Sequence, residues 1–142
     1  MTSQSAGFLR TEELDTAKCE RLLAQASLGR VVLSVGCLPA ALPVHVDLAE
    51  GHVLLGCSPG PAISAAEQGD VVSIQVDGED VDGTTWSVQV TGVARVVGSS
   101  DPLSNVVHEG RLERALGRGA VLVAVPLTVL SGERTMWIPA VQ

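Results

Sequence analysis

The chain has 142 residues, enough for one domain around a single core, and 46 % of them are apolar. Phe8, Trp86 and Trp137 are its only aromatics, so Val, Leu and Ala must fill the interior. A net charge of −7 argues against a nucleic-acid partner, which needs clustered Lys and Arg, and no apolar run is long enough to span a membrane.

Residues 1–10 are small and polar and read as a mobile tail, with one domain over 11–142. They lack a basic segment followed by an apolar stretch, so no secretory signal is expected and the chain is placed in the cytoplasm. Leu14 to Ala26 reads as a helix, N-capped by Asp15, with Cys19, Leu22, Leu23 and Ala26 on one face. Arg30 to Val35 is a strand, Gly36-Cys37-Leu38 a turn, and Pro39 to Leu48 a second strand. On that strand Ala40, Leu42, Val44, Val46 and Leu48 face one way, and Ala41, Pro43, His45 and Asp47 the other. Pro43 cannot donate to a ladder and marks an edge or a break. His45 is expected to face a ligand cleft while Val44 and Val46 face the core.

Ala49-Glu50-Gly51 turns into a third strand, His52 to Cys57, completing a meander. Ser58-Pro59-Gly60-Pro61 leads into a short helix, Ala62 to Gln68, with Ser58 as its cap and Gly69 as its stop. A fourth strand, Val71 to Asp77, precedes an acidic loop over 78–84 whose spacing does not match a calcium loop. The longest period-two segment follows, Thr85 to Val97. Trp86, Val88, Val90, Gly92, Ala94 and Val96 share its apolar face, and Gly92 marks a bend.

Asp101-Pro102 starts a helix carrying Leu103, Val106, Val107 and Leu116 and ending near Gly117, with Arg111, Arg114 and Arg118 at its end. Ala120 to Leu130 and Arg134 to Ile138 are the last strands, turning at Ser131-Gly132-Glu133. The pattern predicts a mainly β barrel with peripheral helices. Its two-sided apolar strands predict a homodimer, because a monomer would expose part of that surface.

No nucleophile elbow, zinc motif or dinucleotide fingerprint is present, so catalytic residues are unassigned and no metal is expected. His45, His52 and His108 are not paired at metal spacing. Cys19, Cys37 and Cys57 are too irregularly placed for a disulfide framework and read as reduced thiols.

A resemblance adds to this reading. Gly29-Arg30-Val31-Val32, Leu38-Pro39-Ala40, Leu42-Pro43-Val44-His45, Ser58-Pro59-Gly60-Pro61-Ala62-Ile63 and Trp86-Ser87-Val88-Gln89-Val90-Thr91-Gly92-Val93-Ala94 occur in the order seen in pyridoxamine 5′-phosphate oxidase-like proteins. The chain resembles these flavin-binding split barrels, common in actinobacteria, over roughly residues 14 to 138. The resemblance implies a six-stranded split barrel that dimerises and holds FMN, or a deazaflavin, at the dimer interface. It implies that Val44, His45 and Val46 line the ring, and that Gly56, Cys57, Ser58, Ala62 and Ile63 approach the ribityl phosphate. Trp86, Ser87 and Gln89 would contribute from the central strand, across the dimer. The family commonly has Pro-Gly-Thr-Lys-Leu where this chain has Pro59-Gly60-Pro61-Ala62-Ile63, so Ala62 stands in the lysine's place. The strand pattern Pro-Val-Asn-Tyr is replaced by Pro43-Val44-His45-Val46, without its aromatic. Losing one charge-assisted hydrogen bond weakens binding roughly tenfold to hundredfold. Arg30 and Arg95 are the strand arginines that would compensate. Two expectations stand: a flavin- or deazaflavin-dependent oxidoreductase, and a dimeric binding or regulatory module that has lost tight flavin binding and catalysis.

Overall fold

A computed structural model describes residues 6–107, 112 and 119–141. Strand β1 spans Gly7–Glu13, helix α1 Thr16–Gln25, and strands β2, β3 and β4 Leu28–Val35, Leu38–Ala49 and His52–Cys57. Helix α2 is Pro61–Gln68, followed by β5 Val71–Glu79, β6 Thr85–Val93 and β7 Arg95–Val96. A 3-10 helix, Pro102–Val107, precedes β8 Val121–Pro126 and β9 Val129–Pro139. Among the described residues no helix is long and apolar enough to cross a membrane.

The fold is mainly β, as expected, but the sheet formed by the described residues has nine strands rather than six, in the order β1-β9-β6-β5-β2-β3-β4-β8-β7. The barrel closes through the chain itself. β7 follows β6 after a single residue, so one segment pairs with β5 along all of Thr85–Val93 and with β8 at Arg95–Val96. The ring is thus made by β2, β3, β4, β5, β8 and the β6–β7 segment, while β9 and β1 extend the sheet outward from β6. Gly92 lets this crossing happen. A Cβ there would lie 2.9 Å from the Pro126 carbonyl oxygen and 3.2 Å from Val125 Cγ1, so only hydrogen fits between β6 and β8.

Both tight hairpins place two consecutive residues in the left-handed region, Gly36 and Cys37 at φ 57° and 67°, and Glu50 and Gly51 at 51° and 71°. Such turns match the twist of the strands they join. Val31, Val46, Leu55, Ile74, Val88 and Val90 fill the barrel. Cys19, Leu22 and Leu23 of α1 and Ala65 and Ala66 of α2 plug its ends. A second cluster, Leu54, Leu103, Leu112, Leu122 and Ala124, covers the outer face of β4 and β8. Those two strands are buried on both sides, which is why they read as continuous apolar runs.

Several expectations need correction. The tail expected over 1–10 gives way at Gly7 to β1, which pairs with β9 throughout. Arg134 donates to Glu12 at 2.9 Å across that ladder, and this hydrogen bond holds the Glu12 carboxyl below its usual range. The turn expected at Ser131-Gly132-Glu133 lies instead at Leu127-Thr128, a bend between β8 and β9, while Ser131, Gly132 and Glu133 pair with β6 inside β9. Gly132 is a packing glycine inside β9: a Cβ there would come within 2.6 Å of Cys19 Sγ on α1. Ser58 does not cap α2. Gly60 occupies the cap position, and its carbonyl accepts from the Ser64 N–H at 3.2 Å. The expected helix beyond Asp101 begins as the 3-10 helix, with Asp101 Oδ1 accepting from the Leu103 N–H at 3.0 Å. Its further reach through His108, Arg111, Arg114, Leu116, Gly117 and Arg118 lies outside the described residues. Asp15 caps α1 as expected, accepting from the Lys18 N–H at 2.8 Å.

Candidate functional site

β3 changes partners midway, and the site forms where it does so. Residues 38–45 pair with β2, and residues 45–49 pair with β4. His45 stands at the switch, opposite Leu28 on one side and Gly56 on the other. Pro43 lies on the half of β3 that β4 does not reach, where a missing N–H leaves no ladder bond unmade. The end of β4, the turn after it and the start of α2 close a cleft of about 440 Å³ against this corner. Its lining is Leu28, Leu42, Pro43, Val44, His45, Gly56, Cys57, Ser58, Pro59, Gly60, Pro61 and Ala62.

The alternation on β3 falls as the sequence reading required. Val44 and Val46 are buried and His45 is exposed into the cleft. Of the candidate residues, Val44, His45, Gly56, Cys57, Ser58 and Ala62 line this one cleft. Val46 does not join them through its side chain, which is 1 % exposed in the barrel core. Ile63 packs partly buried against the same core. Trp86, Ser87 and Gln89 lie elsewhere in this chain. Trp86 covers Gly78, where a Cβ would sit 2.5 Å from the indole. Trp86 and Ser87 line a groove of about 590 Å³, and Ser87 and Gln89 line one of about 510 Å³ beside it.

The chemistry of the cleft is sparse. Leu28, Leu42, Pro43 and Val44 make apolar walls suited to a flat ring, and no carboxylate lines it. Pro59 and Pro61 carry no N–H, and the Ser64 N–H is taken by Gly60. The first turn of α2 leaves the Ala62 and Ile63 N–H groups without an intrahelical acceptor. Burial pushes the Cys57 thiol up to about 11, which keeps it protonated and unreactive at neutral pH. Burial, then the charges of Asp15 and Glu20, push the Cys19 thiol up as well. All three cysteines are free, and Cys37 alone is exposed. Alkylating the native protein should therefore modify Cys37 only, and denaturing it without reductant should expose all three. A mass that stays unchanged after denaturing alkylation would contradict this.

The pattern of strands, cleft and turn is that of a known family. Residues 15–134 match the family model described as pyridoxamine 5′-phosphate oxidase. The chain belongs to the pyridoxamine 5′-phosphate oxidase family. An uncharacterized protein of Mycobacterium tuberculosis is 41 % identical over 96 residues, covering 63 % of this chain and 62 % of that one. The chain thus matches less than two thirds of that relative's length. The FAD-binding protein from Mycobacterium smegmatis is 26 % identical, with a TM-score of 0.65 over 88 % of this chain and 98 % of its own. A FAD-binding protein from Mesorhizobium loti shares the fold at a TM-score of 0.73, 19 % identity, and coverage of 92 % and 99 %.

Within this member of the oxidase family, sequence reasoning missed Leu28 and Leu42 as cleft walls. Leu42 belongs by alternation to the inward face and reaches the cleft only because the barrel is open at that corner. Leu28 is set by cross-strand register to His45, which a single strand's pattern does not reveal.

Proposed function

We propose that this protein binds a flavin, FMN or a deazaflavin, in the cleft between β3, β4 and the start of α2, as a cytoplasmic homodimer with oxidoreductase function. The observation that carries the reading is the assembly of Val44, His45, Gly56, Cys57, Ser58 and Ala62 around one cleft of about 440 Å³. Family membership and the flavin-binding proteins that share the fold support it. The residues fit such a group unevenly. The apolar walls suit the ring, while the turn offers backbone N–H groups and the Ser58 hydroxyl but no charge. A bound flavin would supply hydride-transfer chemistry, and this chain's residues would hold and orient it and shield it from water.

The neutral turn also favours a second reading, a dimeric binding or regulatory module in which tight flavin binding is lost. A fluorescence titration separates the two. FMN should bind weakly to the wild type, and Ala62→Lys should tighten binding roughly tenfold to hundredfold by restoring a charged hydrogen bond. No binding by either protein would end the flavin reading.

The dimer is supported by the outer face of β5, β6 and β9. Val71 and Val93 face each other across the ladder at 63 % and 51 % exposed, and Val129 beside them is 59 % exposed. Ser87 and Gln89 share this face, which would place them against a partner's cleft. Solution scattering should give twice the chain mass at micromolar concentration. A monomer would remove Trp86, Ser87 and Gln89 from the proposed site.

A further inference from the structure

We propose that the free edge of β1 is a self-association site, where β1 pairs antiparallel with β1 of a second copy across a two-fold axis at Thr11. The contact is distinct from the flavin cleft and from the outer face of β5, β6 and β9.

β1 ends the sheet, with β9 on one side of it and, among the described residues, no strand on the other. Sheet edges are usually blunted by proline, a bulge, lysine or a very short strand. β1 has none of these. Its seven residues include neither proline nor lysine, and all seven pair with β9 in unbroken register. Phe8 and Leu9 are 57 % and 67 % exposed.

The backbone is set for a further strand. Just beyond the two ends of the β1–β9 ladder, the Ala140 N–H donates to the Ala6 carbonyl at 3.2 Å and the Leu14 N–H to the Gly132 carbonyl at 2.9 Å, both in the ladder's own register. Hydrogen-bonded pairs alternate along an antiparallel ladder, so Phe8, Arg10 and Glu12 turn their backbone groups to β9. Gly7, Leu9, Thr11 and Glu13 turn theirs to the free edge. Pro139, which has no N–H, lies opposite Gly7, where none is called for.

Charge selects the partner and the register. Arg10 precedes Thr11 and Glu12 follows it. Antiparallel pairing centred on Thr11 sets Arg10 opposite Glu12 of the second copy, and Glu12 opposite Arg10 of the second copy. These are non-hydrogen-bonded pairs, in which side chains come closest. Centring on Arg10 or on Glu12 would set like charges face to face, which destabilises a pair. Within the chain two arginines share one carboxylate, since Arg10 and Arg134 both pair with Glu12, at 3.1 and 2.9 Å. A second copy brings Arg10 another. Leu9 and Glu13 then exchange backbone hydrogen bonds on either side of the axis. So short an edge pairs weakly, joining copies only at chain concentrations well above those at which the outer face acts.

Sedimentation equilibrium of the full chain should show the mean mass doubling between micromolar and near-millimolar concentration. Thr11→Pro should remove that rise. The N–H it deletes faces the free edge, so the β1–β9 ladder is unbroken and the unfolding midpoint should stay close to the wild type's. Single cysteines read the register without a proline. In a Cys37→Ser background, Thr11→Cys should form covalent pairs roughly tenfold faster than Leu9→Cys, because only residue 11 meets its own copy, at the Cα separation of about 5.5 Å that a disulfide spans. Any of three results would overturn the assignment: a mass that does not rise, a rise that survives in Thr11→Pro, or cross-linking at Leu9 as fast as at Thr11. The flavin reading is tested separately, by FMN titration at micromolar chain, where the edge is unpaired.

Discussion

Gly56→Val should weaken FMN binding on the order of tenfold to a hundredfold while leaving the protein folded. Gly56 pairs with His45 across the β3–β4 ladder and lines the cleft beside it. Opposed residues in an antiparallel pair point to the same face, so a side chain here fills the space in front of His45. Valine suits a strand, and the new bulk enters the cleft rather than the barrel. Crowding a packed site costs about 1–3 kcal/mol, which corresponds to the affinity loss expected. Titration of wild type and variant under matched conditions reads the effect. Equal affinities would mean that the flavin does not lie over Gly56.

The largest effect on stability should come from Leu55→Ala, one residue away and on the opposite face. Leu55 is 0 % exposed, and its ladder partners are Val46 on β3 and Val123 on β8. Removing its side chain leaves a cavity among β-branched residues that relax poorly, at a cost of about 2–5 kcal/mol. That is a large share of the roughly 5–15 kcal/mol that stabilises a domain. Urea unfolding should show it as a lower midpoint with an unchanged slope. The contrast is Val81→Ala in the exposed β5–β6 turn, where a change within about 0.5 kcal/mol is expected. A small effect at Leu55 would mean that the barrel wall closes around the gap.

The two substitutions show what was legible in the chain. Alternation alone put His45 outside and Val44 and Val46 inside, because a strand buried on one face allows only one register. The hairpins at Gly36-Cys37 and Glu50-Gly51 were legible through their glycines. β1 was not, since most of Gly7–Glu13 is exposed and its register comes from β9, 122 residues away at the Glu12–Arg134 pair. Gly132, between Ser and Glu, reads locally as a turn. Its real cause is Cys19 on α1, which no local pattern contains. Six of the expected site residues meet in one cleft because they lie on segments adjacent in the ladder. Trp86, Ser87 and Gln89 do not, and only a second copy of the chain would bring them there.

The central claim is that the corner of β3, β4 and α2 holds the flavin, and diffraction from crystals grown with saturating FMN tests it most directly. Ring density against Val44, His45 and Gly56, with the phosphate toward Ser58 and Ala62, is the predicted result. Ring density at another surface, or a cleft that stays free of flavin at saturation, would contradict it.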